Sequence, residues 1–309
     1  MDDSQMTVLK AILPDVYDRL EYLRENNSLI HYTSADAAKS IIENKEIWLR
    51  NTRCMNDYSE IKHGLDLIQK SLEHLRQTRT EADHLHNILE SNLIELSNSL
   101  IKDTYIFCLS EHNPEENDYG RLSMWRSYGT SKPLAIIFKK ELPSKLPTNE
   151  NYRSIYLLPV EYRNFTSCNN LLENRITELA TNLKDLKNLI SNGIQIHFDK
   201  LFSSLILVTA ISTKHIGFKE EKEWRLVFNP NLIKESDSLK LEIESIKGTP
   251  QKVLKIKLDG FQPKPIERII IGPTNDAEVL KESFIYLLHE AGYDNSENMV
   301  HISGIPLRT

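Results

Sequence analysis

The sequence predicts an α+β fold: a single domain over residues 1–309, with a mostly antiparallel β core and two long helical insertions, at about 57–102 and 166–211. Three observations carry this. Short apolar runs of strand length recur from Leu29 to Ile302. Leucine and isoleucine recur at spacings of three and four over several long stretches, the mark of amphipathic helices. The two kinds of segment do not alternate as a doubly wound βαβ chain requires, and no Pro/Gly/Ser-rich linker or internal repeat divides the chain.

Residues 6–25 read as an amphipathic helix interrupted by Pro14. Leu29-Ile30-His31-Tyr32 reads as a strand. Thr33-Ser34 then supplies an N-cap with Asp36 in the first turn, and Ala37, Ala38, Ile41 and Ile42 form one helical face. Ile47-Trp48-Leu49 is a second strand. Ile61, Leu65, Ile68, Leu72 and Leu75, then Leu85, Leu89, Leu93, Leu96 and Leu100, mark two long helices with a turn near 76–81. Tyr105-Ile106-Phe107-Cys108-Leu109 is a buried strand, followed by a polar loop over 111–120 and a short helix over 123–128 that stops at Gly129. Strands follow at 134–138 and 155–162. Leu172, Ile176, Leu179, Leu183, Leu186 and Ile190 mark a third long helix, and 198–211 a fourth. The remainder reads as strands at 224–228, 239–243, 253–258 and 269–271, a helix at 278–291 and a last strand at 300–302.

Composition narrows the function classes. Hydrophobic residues make up 40% and charged residues 27%, with a net charge of −6. No basic arm is present, so general electrostatic affinity for nucleic acid is not expected. The three cysteines, Cys54, Cys108 and Cys168, are odd in number and form no C-x-x-C pair; neither a zinc site nor a disulfide framework is indicated, and a reducing cytoplasm fits. The start Met-Asp-Asp-Ser lacks the features of a signal peptide. The most apolar run, 205–211, is far short of the roughly 20 residues of a membrane span. Walker, G-x-G-x-x-G, H-E-x-x-H and G-x-S-x-G patterns are absent, and the ten histidines show no metal-ligand spacing.

Four segments concentrate groups able to do chemistry. His31-Tyr32-Thr33-Ser34 sets a histidine at a strand end just before a helix N-terminus, where free N–H groups and a partial positive charge suit phosphate; the plain alternative is a packed His-Tyr pair and an ordinary cap. Residues 51–60, with Arg53, Asn56, Asp57 and Glu60, read first as a turn and cap. Trp125 and Tyr128 share a helical face and either stack on a flat ring or pack on the core. In 214–228, Glu221 and Glu223 point to one side if the backbone is extended. Two adjacent carboxylates raise each other's pKa and call for a cation, a part open to Arg225; the plain alternative is a solvated strand edge.

Together these segments resemble bacterial domain-of-unknown-function family 2971. The shared elements are His31-Tyr32-Thr33-Ser34, Met55-Asn56-Asp57 with Glu60, the strand Phe107-Cys108-Leu109-Ser110, Met124-Trp125-Arg126-Ser127-Tyr128, Glu221-Lys222-Glu223-Trp224-Arg225, Ile271-Gly272-Pro273 and the terminal Ser303-Gly304-Ile305-Pro306-Leu307-Arg308. A looser resemblance, in the order His, aromatic or hydroxyl, Glu, is to the ADP-ribosyltransferase superfamily. It implies a β core of that type and NAD as substrate. His31, with Tyr32 and Thr33, would hold the adenosine ribose. Tyr128, Ser110, Ser123 or Ser127 would take the middle position. Glu223 would be catalytic and Glu221 would orient the acceptor. Trp125 or Tyr128 would offer a platform for nicotinamide, and Arg53 or the helix after Ser34 would meet the pyrophosphate. By analogy the acceptor is a protein, RNA or DNA, and the role that of a toxin or phage-defence effector. A NAD glycohydrolase on the same site, a carboxylate-and-metal nuclease or hydrolase, and a non-catalytic interaction module are the alternatives. For the last, the hairpin near 60–102 would be the docking surface; the long helices would equally serve an antitoxin or a second copy of the chain.

Overall fold

Strand β3 (Tyr105–His112) organises the sheet because three strands share its two edges. The computed structural model describes residues 10, 13–55, 58–78, 83–128, 132–142, 155–164, 174–175, 198–230 and 239–306. One edge of β3 is covered from Tyr105 to Ser110 by strand β8 (Glu223–Phe228). The opposite edge is divided. Its C-terminal half pairs with strand β1 (Ser28–Ser34), through Ile30↔Ser110, while its N-terminal end pairs with strand β2 (Glu46–Asn51), through Arg50↔Ile106. Between these pairings, over Phe107, Cys108 and Leu109, β1 and β2 part like the arms of a fork.

Strand β4 (Pro133–Phe138) continues the sheet beyond β1, followed by β11 (Ile266–Ile271) and β12 (Val300–Ile302). Beyond β2 lie β10 (Thr249–Lys257) and β9 (Leu241–Ile246), while β5 (Tyr156–Pro159) pairs with β8. Among the described residues ten strands are joined in this sheet, and every pairing among them except β11–β12 is antiparallel. Strands β6 (Glu161–Arg163) and β7 (Thr213–His215) form a separate parallel pair. The structure thus divides the strand expected over 155–162: Pro159 ends β5, and β6 belongs to the second sheet. The mixed, mostly antiparallel α+β architecture agrees with the sequence.

Helix α1 (Pro14–Asn26) has Pro14 as its first residue, and Leu13 before it is not helical, although Lys10 is. A proline at N1 gives up only an N–H that would lack a helical partner anyway. Helix α2 (Ala35–Asn44) follows β1 directly, with Ser34 as its N-cap. Helices α3 (Tyr58–Thr78) and α4 (Asp83–Asp103) occupy the first leucine-rich stretch and pack on each other and on α6 (Phe198–Ile211). Of the helix expected over 172–190 only residues 174 and 175 are described, and both are helical; the rest lies outside the described residues. Helix α3 approaches α6 so closely that a Cβ on Gly64 would fall on the Ala210 carbonyl. Helix α5 (Leu122–Tyr128) packs on β1, and α7 (Ala277–Glu290) with α8 (Ser296–Met299) packs beside β11 and β12. The core is built from the apolar runs read in the sequence: Leu29, Ile47, Leu49, Leu134, Ile136, Ile269 and Ile271 are all fully buried. Among the described residues no helix is long and apolar enough to cross a membrane.

Candidate functional site

The fork in the sheet opens into a cavity of about 550 Å³. Its walls include His31, Tyr32 and Thr33 from β1, Trp48 and Arg50 from β2, and Ser110 from β3. Tyr128 of α5, together with Glu221 and Glu223, closes another side. Ser110 sits in register with Ile30 on one flank and Glu223 on the other, so the order β1-β3-β8 brings the early and late motifs to one place.

His31 occupies the fork itself. Its ring stacks on Phe107, with centroids 4.2 Å apart. Its Nδ1 lies 2.8 Å from the Cys108 carbonyl, which accepts the bond at the point that neither β1 nor β2 reaches. Burial pulls the imidazole pKa down to about 4, against the opposing pull of that carbonyl, so the ring is neutral at pH 7. A carbonyl can only accept, so the proton is on Nδ1 and Nε2 carries a lone pair. Tyr32 is more constrained. Its hydroxyl accepts from the Arg121 backbone N–H at 2.8 Å, and burial pushes its pKa up to about 12.

The carboxylates converge by a different route from the one the sequence predicts. Glu221 is not in an extended segment; it ends a 3-10 helix over Ile216–Glu221, Lys222 turns the chain with φ of 44°, and Glu223 then opens β8. Both side chains point at Lys214 of β7, whose Nζ lies 2.7 Å from Glu221 Oε2 and 3.0 Å from Glu223 Oε2. The same ammonium is 2.9 Å from Glu60, in the first turn of α3. Arg225 is fully buried and donates to Glu223 Oε1 from Nε at 2.8 Å, to the Ile211 carbonyl at 2.6 Å, and to Glu60. Three carboxylates thus share two cations.

Burial raises both glutamates, but the balance differs. At Glu223 the charges of Arg225 and Lys214 outweigh burial and hold the pKa at about 2, leaving it ionised. At Glu221 burial prevails over Lys214, with help from Glu223 and Glu60, so its pKa sits above the ordinary value. The Tyr128 hydroxyl donates to Glu221 Oε2 at 3.3 Å and is held protonated by burial, while the residue as a whole remains 37% exposed. The Glu223 N–H donates to the Tyr162 hydroxyl at 2.7 Å.

Two residues expected at the site lie elsewhere. Trp125 is 5% exposed, meets the edge of Tyr32 at 4.8 Å and donates from Nε1 to the Tyr119 carbonyl, so it is a core residue and not a wall of the cavity. Arg53 is exposed in the 3-10 turn after β2 and does not line the cavity; Arg50 does. The start of α2 borders the cavity, but the N–H groups of Ala35 and Ala37 already donate to the Lys132 carbonyl and the Ser34 hydroxyl, and Asp36 adds a negative charge there. Nothing in this arrangement favours phosphate at that helix end.

Lys214, Tyr162 and Arg121 carried no signal of their own. Arg121 grips Glu116 with two bonds, of 3.1 and 2.9 Å, and donates to the Glu111, Glu220 and Glu221 carbonyls, fixing the turn that carries Glu221. The hint available was that an acidic pair entering an apolar strand needs more positive charge than Arg225 alone.

The model of a family described as "Protein of unknown function (DUF2971)" matches residues 124–226, one third of the chain. That stretch contains Tyr128, Lys214, Glu221, Glu223 and Arg225. No curated protein and no solved structure matches the chain. Over residues 124–226, which supply the carboxylate side of the cavity, the chain is similar to that family of unknown function.

Proposed function

We propose that the cavity binds NAD and that the protein is an ADP-ribosyltransferase-like enzyme, with a β core of that type, that transfers ADP-ribose to a macromolecular acceptor. The observation that carries this reading is the meeting of His31, Tyr128, Glu221 and Glu223 on the walls of one cavity of about 550 Å³, within the range of small-molecule sites. His31 Nε2 accepts a hydrogen bond from a ribose hydroxyl. The ring of the part-exposed Tyr128 offers the flat surface expected of either Trp125 or Tyr128, and nicotinamide stacks there.

The bond from the nicotinamide nitrogen to ribose C1′ breaks with its electron pair going to the nitrogen. Nicotinamide departs neutral, and positive charge develops at C1′, as in glycoside cleavage. The ionised Glu223 stabilises that charge more than it stabilises the ground state. The acceptor's lone pair then forms the new bond to C1′, and its proton passes to Glu221. The raised pKa of Glu221 suits a group that must take a proton. Water as acceptor turns the same chemistry into NAD hydrolysis.

The test is incubation of the purified protein with NAD labelled in the adenylate half, with and without cell lysate. Nicotinamide release with label on a macromolecule is the expected result. Release without labelling makes the protein a glycohydrolase. No release in either condition overturns both.

A further inference from the structure

We propose that the cavity wall made by β2 and the β9–β10 tip is a nucleotide subsite, in which Trp48 stacks on the base and Lys247 with Arg50 takes a diphosphate. The identification of that nucleotide as the adenylate half of NAD rests on the reading above; the subsite itself does not.

Trp48 and Arg50 are two residues apart on β2 and so share one face of the strand, and both border the cavity. The Trp48 indole is fixed rather than free. Nε1 donates to Glu46 Oε1 at 2.7 Å, and Lys255, which is not part of the cavity wall, sits over the ring 5.4 Å from its centroid. The carboxylate that holds the indole is itself neutralised, because Lys257 pairs with Glu46. Lys255 in turn is paired with Glu242 and Glu244. A half-buried indole held in this way is a preorganised stacking surface for a base.

The cations stand next to it. Arg50 Nη2 donates to the Gln251 side chain and to the Cys54 carbonyl, each at 3.1 Å, which fixes its guanidinium at the wall. Lys247 lies at the β9–β10 tip, where Ile246 pairs with Thr249 and only Lys247 and Gly248 make the turn. Both turn residues have positive φ, 51° and 79°. Asparagine or aspartate followed by glycine is the favoured pair for this geometry, because a lysine there is strained. The chain accepts that strain and so holds an ammonium at the cavity, in no ion pair among the described residues. The wall also carries Asp36 and Glu46, of which Glu46 is paired with Lys257; apart from these the cavity is graded, with Glu221 and Glu223 on one side and Arg50 and Lys247 on another. A ligand with a developing cation at one end and phosphates at the other matches that gradient.

The experiment is titration of the full chain with ADP, followed by tryptophan fluorescence and by calorimetry. Trp125 and Trp224 are buried at 5% and 1% exposure, so a bound base quenches Trp48. Saturable quenching is expected, lost in Trp48→Phe. Lys247→Asn removes the charge while keeping a residue suited to the turn; it is expected to weaken ADP about tenfold and leave adenosine unchanged. No saturable binding of ADP, or equal affinity in Lys247→Asn, overturns the subsite. ADP binding of the expected pattern without nicotinamide release from NAD keeps the subsite and removes the transferase reading. NAD cleavage with ADP binding indifferent to Lys247 keeps that reading and removes the subsite.

Discussion

His31 and Cys108 are joined across the fork of the sheet: the imidazole Nδ1 meets the Cys108 carbonyl at 2.8 Å, at the point where the edge of β3 passes from β1 to β2. The histidine thus satisfies a main-chain group that strand pairing leaves over, and the same bond fixes which nitrogen can accept from a ligand.

Replacing His31 by Leu leaves that carbonyl without its donor. A loss of about 1–3 kcal/mol in urea denaturation is expected, together with loss of NAD binding. His31→Asn, which keeps a donor, is expected to retain more of the stability than of the binding.

Acid should weaken the fold in two steps. The folded pKa of His31 is about 4 against an ordinary 6.5, so the unfolded chain takes up the proton first as pH falls. Stability is complete above about 6.5 and declines until about pH 4. Glu223 is also lowered, to about 2 from 4.5, so its contribution is complete above about 4.5 and disappears toward pH 2. Denaturant midpoints should hold level from pH 8 to about 6.5 and then fall to pH 3, and His31→Asn should flatten the upper part of that fall alone.

Lys214 is 2% exposed and meets three carboxylates. Lys214→Met leaves buried negative charge without its counterion and is expected to cost about 3–5 kcal/mol. Equal stability in wild type and variant would show that Arg225 alone balances the cluster.

The contact of α3 with α6 depends on Gly64. A methyl group there collides with backbone at Ala210, which cannot move as a side chain can. Gly64→Ala is expected to destabilise by about 1–3 kcal/mol in thermal or urea unfolding.

Much of the sheet was legible because its strands are short apolar runs, and His31, Ser110, Tyr128, Glu221 and Glu223 were legible because local motifs mark them. The partners of those residues were not. Arg225 finds Glu60 at a separation of 165 residues, and no local spacing encodes such a pair. Trp125 and Tyr128 share a helix and look equivalent in sequence, yet α5 turns Trp125 toward Gly272 and Pro133 and leaves Tyr128 at the cavity. Arg53 and Arg50 differ by three residues, and the end of β2 decides between them: Arg50 is still paired in the strand, whereas Arg53 has left it. Lys222 in the left-handed region explains why Glu221 and Glu223 converge although only one of them is in a strand.

In the proposed reaction Glu223 acts on a bound NAD. The most direct measurement is nicotinamide release from NAD by wild type, Glu223→Gln and Glu221→Gln, each first matched for folding by its thermal transition. Release by wild type is expected, with a loss of at least about a hundredfold in folded Glu223→Gln and a smaller loss in Glu221→Gln. Release by folded Glu223→Gln at the wild-type rate would contradict it, as would a wild type that neither binds nor cleaves NAD.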